Sequence, residues 1–397
     1  MKVLFLSDNF PPEVNAPATR TFEHCVEWAK QGVEVTVITC QPNFPKGKVF
    51  EGYTNRLYQK ETVNGIRVIR VWSYIAHNSG FLKRILDFIS YAFMAFWVGL
   101  FIKTDIVIGT SPQFFTAIAA RCLGFVKRIP WVMEVGDLWP ESIAAVGAMK
   151  RTSKAYLFLE RIETHLYRSA NKIIVVTDAF KSYIAAKGIS DTKIEVIKNG
   201  VDPAKFQPQE KDETLLEKYG LKNKFVVSYI GTHGMAHALD FILECAKEEK
   251  DPSTHFILQG DGAEKQNLLF KAKQEGLSNV SFLPFVSKSE IKKYISLSDV
   301  ALVNLKRSDT FKTVIPSKIF ENACMLKPIL LGVEGESKEI IERYSAGVTF
   351  KPESKAAFQS ALACLKDQQQ YILFQKGCEA LTKDFNRSRL ALKMLES

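Results

Sequence analysis

No C-x-x-C pair occurs among the seven cysteines, and their odd, scattered distribution offers no disulfide framework. Met1-Lys2 leads straight into a short apolar run with no signal-peptide pattern, so a reducing, cytoplasmic setting is expected. There is no zinc-finger, basic-zipper or RNA-binding signature. There is also no long basic block, which argues against a nucleic-acid partner despite a net charge of +10. The cations are dispersed, as in Lys83-Arg84, Lys127-Arg128 and Lys292-Lys293, a distribution that suits phosphorylated substrates or anionic lipid headgroups. Neither a Walker loop nor G-x-G-x-x-G is present, and no metal site or cofactor is expected. Low-complexity segments and internal repeats are absent too.

What is present is an ordinary globular balance, 46% hydrophobic and 24% charged over 397 residues, enough for two domains. Val3-Leu-Phe-Leu6 is a buried strand ending at Ser7-Asp8. A loop through Asn15-Ala16 follows. A helix from near Thr19 then buries Phe22, Val26 and Ala29 and stops at Gly32. Val33–Thr39 is the next strand, which makes a strand-helix-strand seed of a doubly wound sheet. Further strands are expected at 66–71, 105–109, 129–134, 172–176 and 194–197. The strand at 129–134 runs into Val135-Gly-Asp137-Leu-Trp-Pro-Glu141, which puts Glu134 and Asp137 at a strand's C-terminal end, where α/β domains bind ligands. The plainer alternative is that Asp137 or Glu141 only caps the next helix.

Asn199-Gly200 marks a turn, and the polar segment 203–222 reads as a linker. The second half repeats the theme, with strands at 225–230, 255–258, 279–283, 299–304, 328–331 and 346–350. Turns at Gly231-Thr-His-Gly234 and Gly260-Asp-Gly262 close two of these strands, and a helix is expected from near Ala236. Lys312 to Pro328 holds Pro316-Ser317 as a helix start, with Ile319, Ala323 and Leu326 at helical spacing. Lys312, Lys318 and Glu321 then fall in the first turn and a half. There a cation can hold a pyrophosphate and a carboxylate can bind a ribose diol. A capped helix with a solvated Lys and Glu is the plainer reading.

The most apolar stretch is 81–102, interrupted by Asp87. From Phe88 to Ile102 it is shorter than the roughly twenty residues that cross a bilayer. A buried core helix, an interfacial membrane helix that uses Phe93 and Trp97, and a spanning helix are the three alternatives.

Taken together, Asn199-Gly-Val-Asp202, the Gly231 turn, Gly260-Asp-Gly262 and Pro316-Ser-Lys318-Ile-Phe-Glu321 ahead of Lys327-Pro328 resemble family 4 glycosyltransferases of the GT-B fold. The likeness spans nearly the whole chain. Ser7–Glu13, Asp137–Glu141 and Gly231–Ala236 are similar to the bacterial surface-polysaccharide branch that includes N-acetyl-L-fucosamine transferases. The resemblance implies an α/β fold of two tandem Rossmann-like doubly wound domains with an interdomain cleft. Residues 1–202 would bind acceptor and 203–385 nucleotide-sugar, while the helix at 386–397 would pack back on the first domain.

It further implies a retaining, metal-independent transfer from a nucleotide-diphosphate sugar, with UDP ahead of GDP. The acceptor would be a lipid-linked oligosaccharide, and the enzyme would sit peripherally on the inner membrane face. Asp137, Glu134 and Lys318 become the catalytic candidates. Donor contacts are expected from Asn15, Ala16, Gly231, Thr232, His237, Gly260, Asp261, Phe285, Thr313, Val314, Ile315, Pro316, Ser317 and Glu321. Glu321 matches the second glutamate of the family's E-x7-E motif, whereas the first position holds Thr313. The family's Arg and Lys of the diphosphate clamp fall at Thr232 and His237, so His237 is expected to supply part of the charge and Lys318 the rest. A GT-B sugar-nucleotide epimerase and a catalytically inactive nucleotide- or glycan-binding subunit are the alternatives.

Overall fold

In a computed structural model of the chain the apolar runs form two parallel sheets. The structure describes residues 1–44, 47–75, 81–111, 113–145, 149–287 and 290–397. It divides into one unit of residues 1–199 with 387–397 and a second of 200–386. Both are Rossmann-like α/β units, as the strand pattern predicts.

The strands of the first unit are β1 (Lys2–Leu6), β2 (Glu34–Cys40), β3 (Tyr58–Val63), β4 (Ile66–Val71), β5 (Ile106–Ser111), β6 (Trp131–Val135), β7 (Lys172–Val175) and β8 (Ile194–Val196). They are ordered β3-β4-β2-β1-β5-β6-β7-β8, parallel except for the β3–β4 pair. β1 lies between β2 and β5, with Phe5 opposite both Val37 and Ile108. Leu4, Phe5 and Leu6 are fully buried because helices cover both faces of this sheet. β3 escapes sequence detection. It is an edge strand whose residues alternate between exposed and half-buried, so it has no apolar run to give it away.

The first helix spans Ala16–Lys30, three residues earlier than expected. Asn15 caps it, accepting from the Ala18 N–H at 3.0 Å. Its buried face is Thr21, His24, Cys25 and Trp28, while Phe22 and Val26 are only half-buried. The cause is the C-terminal helix Arg387–Glu396, which packs on this side. There Trp28 Nε1 donates to the Ala391 carbonyl at 2.7 Å.

Helix Phe81–Leu100 resolves the apolar stretch into two faces. Tyr91, Ala92 and Ala95 enter the core, whereas Leu86, Ile89, Phe93 and Trp97 are exposed. Among the described residues no helix is long and apolar enough to cross a membrane.

The second sheet consists of β9 (Phe225–Ile230), β10 (Thr254–Gln259), β11 (Val280–Leu283), β12 (Val300–Asn304), β13 (Ile329–Gly332) and β14 (Gly347–Thr349). Their order is β11-β10-β9-β12-β13-β14, all parallel. The helix after β9 begins at Leu239, later than expected. A short 3-10 turn, Met235–His237, and Ala238 at a φ of 45° intervene. Leu239, Ile242, Leu243 and Ala246 are buried, as their spacing predicts.

The segment after β12 also departs from expectation. Lys312 lies in a separate 3-10 turn, Asp309–Thr313, where it is exposed and pairs with Asp309 at 2.7 Å. The helix proper is Lys318–Cys324, and Ser317 contributes no side-chain cap. Pro316 therefore divides two short helical pieces, and only Lys318 and Glu321 share one.

Candidate functional site

In the first unit, the strand C-termini and the start of helix Ala16–Lys30 enclose a cavity of about 240 Å³. Ala16, Thr110, Ser111, Glu134, Gly136, Asp137 and Asn199 are among its lining residues. Asn15 stands behind it, donating from Nδ2 to Asn9 Oδ1 at 2.6 Å. Asp137 is half-buried and accepts from the Leu138 N–H at 2.9 Å. Burial raises its carboxyl above the usual range, while a hydrogen bond from Ser142 works the other way.

Glu134 lines the same cavity but is committed elsewhere. Its Oε1 lies 2.8 Å from Arg20 Nε, with both side chains buried. Arg20 also donates to the Ile197 carbonyl at 2.9 Å and to the Lys198 carbonyl and Asn199 Oδ1. The fork thus ties β6, β8 and the first helix together. Asn199 stood out in the sequence only as part of a turn and motif, and spacing gave no signal for Arg20, Thr110 or Ser111, because the meeting of these residues depends on strand order.

In the second unit a cavity of about 150 Å³ is lined by Ile230, Gly231, Thr232, Gln259, Gly260, Asp261 and Phe285, among others. Five of the expected donor residues therefore meet there. Phe285 is 69% exposed and offers a free ring face. Gly260 has a φ of 140°, and a Cβ on it would collide with the Gly231 carbonyl. Gln259 was not anticipated. It is buried, its Oε1 has no partner among the described residues and its Nε2 donates to the Pro284 carbonyl at 3.4 Å.

Lys318 reaches the same turn from the other side. Its Nζ is 3.9 Å from the centre of the Tyr229 ring and 2.6 Å from where a Cβ of Gly231 would stand. Among the described residues its ammonium makes no ion pair. Burial lowers it to about 8, which the charge of Glu321 partly offsets. Tyr229 stays a neutral phenol, since burial raises it, and donates to the Thr232 carbonyl at 2.7 Å. His237 packs against the same ring, and its carbonyl accepts from Asn304 Nδ2 at 2.9 Å. Burial first, and Lys318 second, bring His237 down to about 4, so it is neutral near pH 7. His233 lies under this cluster, and among the described residues neither ring nitrogen has a hydrogen-bond partner.

The segment 313–317 is mixed. Thr313 Oγ1 donates to the Thr310 carbonyl at 3.0 Å, and Val314 is partly exposed. Ile315 is buried in the core, so its side chain is not open to a ligand. Pro316, Ser317 and Glu321 are half-buried beside Lys318. Chemically, this unit offers a flat aromatic face, a glycine-lined wall and a half-buried cation that makes no ion pair among the described residues.

Residues 15–200 match the family model of the glycosyl transferase 4-like domain, and residues 211–377 match that of glycosyl transferases group 1. The chain is 27% identical to Escherichia coli K12 WcaI over 333 residues, 80% of each chain; that protein is named as a colanic acid biosynthesis glycosyl transferase. It is 25% identical to Pseudomonas aeruginosa WbjE over 259 residues, 64% of each; that protein is named as a glycosyltransferase. Anabaena Alr3699/HepE, solved with UDP and glucose, superposes with a TM-score of 0.72 at 16% identity, over 100% of this chain and 98% of that one.

Proposed function

We propose, for a chain that carries both of these domains and so belongs to the glycosyltransferases of GT-B fold, a retaining transfer of sugar from a UDP-sugar to a lipid-linked surface polysaccharide. UDP-N-acetyl-L-fucosamine is our candidate donor. One observation carries the donor half of this reading: the Lys318 ammonium, partly buried against Tyr229 and beneath the Gly231 turn, with no ion-pair partner among the described residues. A desolvated cation that Glu321 compensates only in part is costly unless an anion arrives to meet it. The diphosphate would lie there, and the uracil would fall in the neighbouring cavity against Phe285. Glu321, one turn along from Lys318, would accept from the ribose hydroxyls. The UDP held by HepE and the polysaccharide role in the name of WcaI support the same reading.

As the bond from the anomeric carbon to the β-phosphate oxygen breaks, charge grows on the leaving diphosphate, where Lys318 would stabilise it without a metal. The acceptor hydroxyl attacks from the same face, and its proton passes to the departing phosphate oxygen. Asp137 would orient that hydroxyl in the first unit's cavity. Glu134, locked to Arg20, would position the wall and not exchange protons.

The reading of an inactive binding subunit draws on two departures from the family pattern: Thr313, its hydroxyl turned to its own 3-10 turn, in place of a glutamate, and Thr232 and His237 in place of the clamp's Arg and Lys. Calorimetry with UDP and GDP in the presence of EDTA, on wild type and Glu321→Ala, tests the proposal. UDP binding weakened by about 1.5–3 kcal/mol in the variant supports it. Absence of binding to either nucleotide overturns the donor assignment. Turnover of a UDP-sugar by the purified protein excludes the inactive subunit.

A further inference from the structure

Helix Phe81–Leu100 and helix Phe114–Lys127 leave a groove between them that the proposed transfer does not use. Ile89, Ala92, Phe93 and Phe96 form one wall, and Ile118 and Cys122 belong to the other. Every lining residue is apolar. At its upper end Trp139 stands edge-to-face with both Phe88, at 6.1 Å between ring centres, and Phe114, at 6.0 Å. Trp139 is two residues beyond Asp137, which lines the first unit's cavity, so one loop links that cavity to the end of the groove. The lower end is closed because Gly99 lets Leu123 approach to within 2.6 Å of where a Cβ would be. Lys83 and Arg84, both exposed, stand about one turn before Phe88 and supply positive charge at the open end.

The geometry points to this groove as the seat of a single hydrocarbon chain, that of the lipid-linked acceptor, with its phosphate near Lys83 and Arg84 and its sugar at Asp137. The assignment rests on the lipid-linked reading of the acceptor. Size favours one chain over a partner helix or a broad bilayer face. At about 30 Å³ per methylene-sized unit, the liquid volume of a water, a groove of about 260 Å³ takes roughly eight or nine carbons. The run from Ile89 to Phe96 is about 10 Å of helix, too short to bury a helical partner. Continuity with the Asp137 loop favours the acceptor over an unrelated lipid, because its chain and its sugar must be held together.

The test is calorimetric titration of the full chain with n-alkyl phosphates from butyl to dodecyl, all below their micelle concentrations. Affinity is expected to rise by up to about fourfold per methylene, the gain for full burial, and to level off near eight or nine carbons. Cys122→Trp, which fills the groove from its half-exposed wall, is expected to flatten the series. Should that variant lose its fold by thermal unfolding, Ile118→Gln, close in volume but polar, replaces it with the same expectation. Affinity independent of chain length overturns the proposal. So does a rise through dodecyl that the groove variant leaves unchanged, which marks non-specific partitioning. Dissociation of a dimer by the longer phosphates also overturns it, because the groove is then an interface between copies. UDP binding measured on the same samples tests the glycosyltransferase reading separately, since none of these titrations requires a donor.

Discussion

Arg20 and Glu134, 114 residues apart in sequence, meet at 2.8 Å in the wall of the first unit's cavity. The pair is buried and held further by three main-chain and side-chain acceptors on the β8 side. Breaking one partner of such a pair leaves a buried charge uncompensated, which costs about 3–5 kcal/mol. Glu134→Gln and Arg20→Ala are therefore expected to lower the thermal midpoint and, through it, activity. Asp137→Asn should abolish turnover with little change in midpoint. If Glu134→Gln keeps its full midpoint and loses turnover, Glu134 is catalytic and the positioning role is wrong.

Lys318 supplies a second expectation. Lys318→Met keeps length and apolar contact with Tyr229 but removes the charge. It should weaken UDP by about 1.5–3 kcal/mol, the range for bonds to a charged group, and leave uridine binding unchanged. Equal loss for UDP and uridine would mean that the lysine only shapes the base cavity. Lys318→Arg should not restore UDP, since the planar fork does not fit beneath the Gly231 turn.

The same lysine sets a pH dependence. In the free protein it titrates at about 8, below the usual 10.5, because burial disfavours its charge. A bound diphosphate raises that value, so binding takes up protons and affinity falls as pH rises through 8. Calorimetry in buffers of different ionisation heat should show net proton uptake near pH 8 in wild type and none in Lys318→Met. His237, at about 4, should contribute only in acid.

Asp87 interrupts the apolar helix at a measurable cost. Burial, with the nearby Asp8 carboxylate, raises its carboxyl from 3.8 to about 7. The folded state thus holds a proton that the unfolded chain has already lost between about pH 4 and 7. Stability from this group is greatest below pH 4 and declines as pH rises to 7. Asp87→Asn should remove that part of the slope and raise the urea midpoint at pH 8. An unchanged midpoint at pH 8 would mean that the folded Asp87 ionises at an ordinary value.

Phe93 and Trp97 are 60% and 48% exposed on the outer face of that helix. If this face docks on a bilayer, replacing both with Ser should release the chain from anionic vesicles in co-sedimentation, with its thermal midpoint retained. A collapsed midpoint would mean that the two rings support the fold despite their exposure, and would remove the case for docking.

The sequence by itself determined the class of fold. Period, turn signals and buried runs such as Val3–Leu6 and Val300–Asn304 are local properties, and parallel strands buried on both faces announce themselves as unbroken apolar stretches. It also located the loops that carry the candidate site, because a loop follows wherever such a run stops. Tertiary structure decided the rest. β3 stayed hidden because an exposed edge strand needs no apolar run. The first helix packs Phe22, Val26 and Ala29 against the core as their spacing suggests, but the fuller burial of Thr21, His24, Cys25 and Trp28 was hidden because the covering helix, Arg387–Glu396, comes from the far end of the chain. Pro316 split a segment whose spacing looked continuous, leaving Lys312 in solvent and Lys318 inside. Which charges are paired was likewise invisible. Glu134 and Lys318 are both charged residues beside a loop, but only strand order brings Arg20 to one and the face of Tyr229 to the other. Charge compensation depends on distance in space, and the spacing of residues along a chain does not encode it.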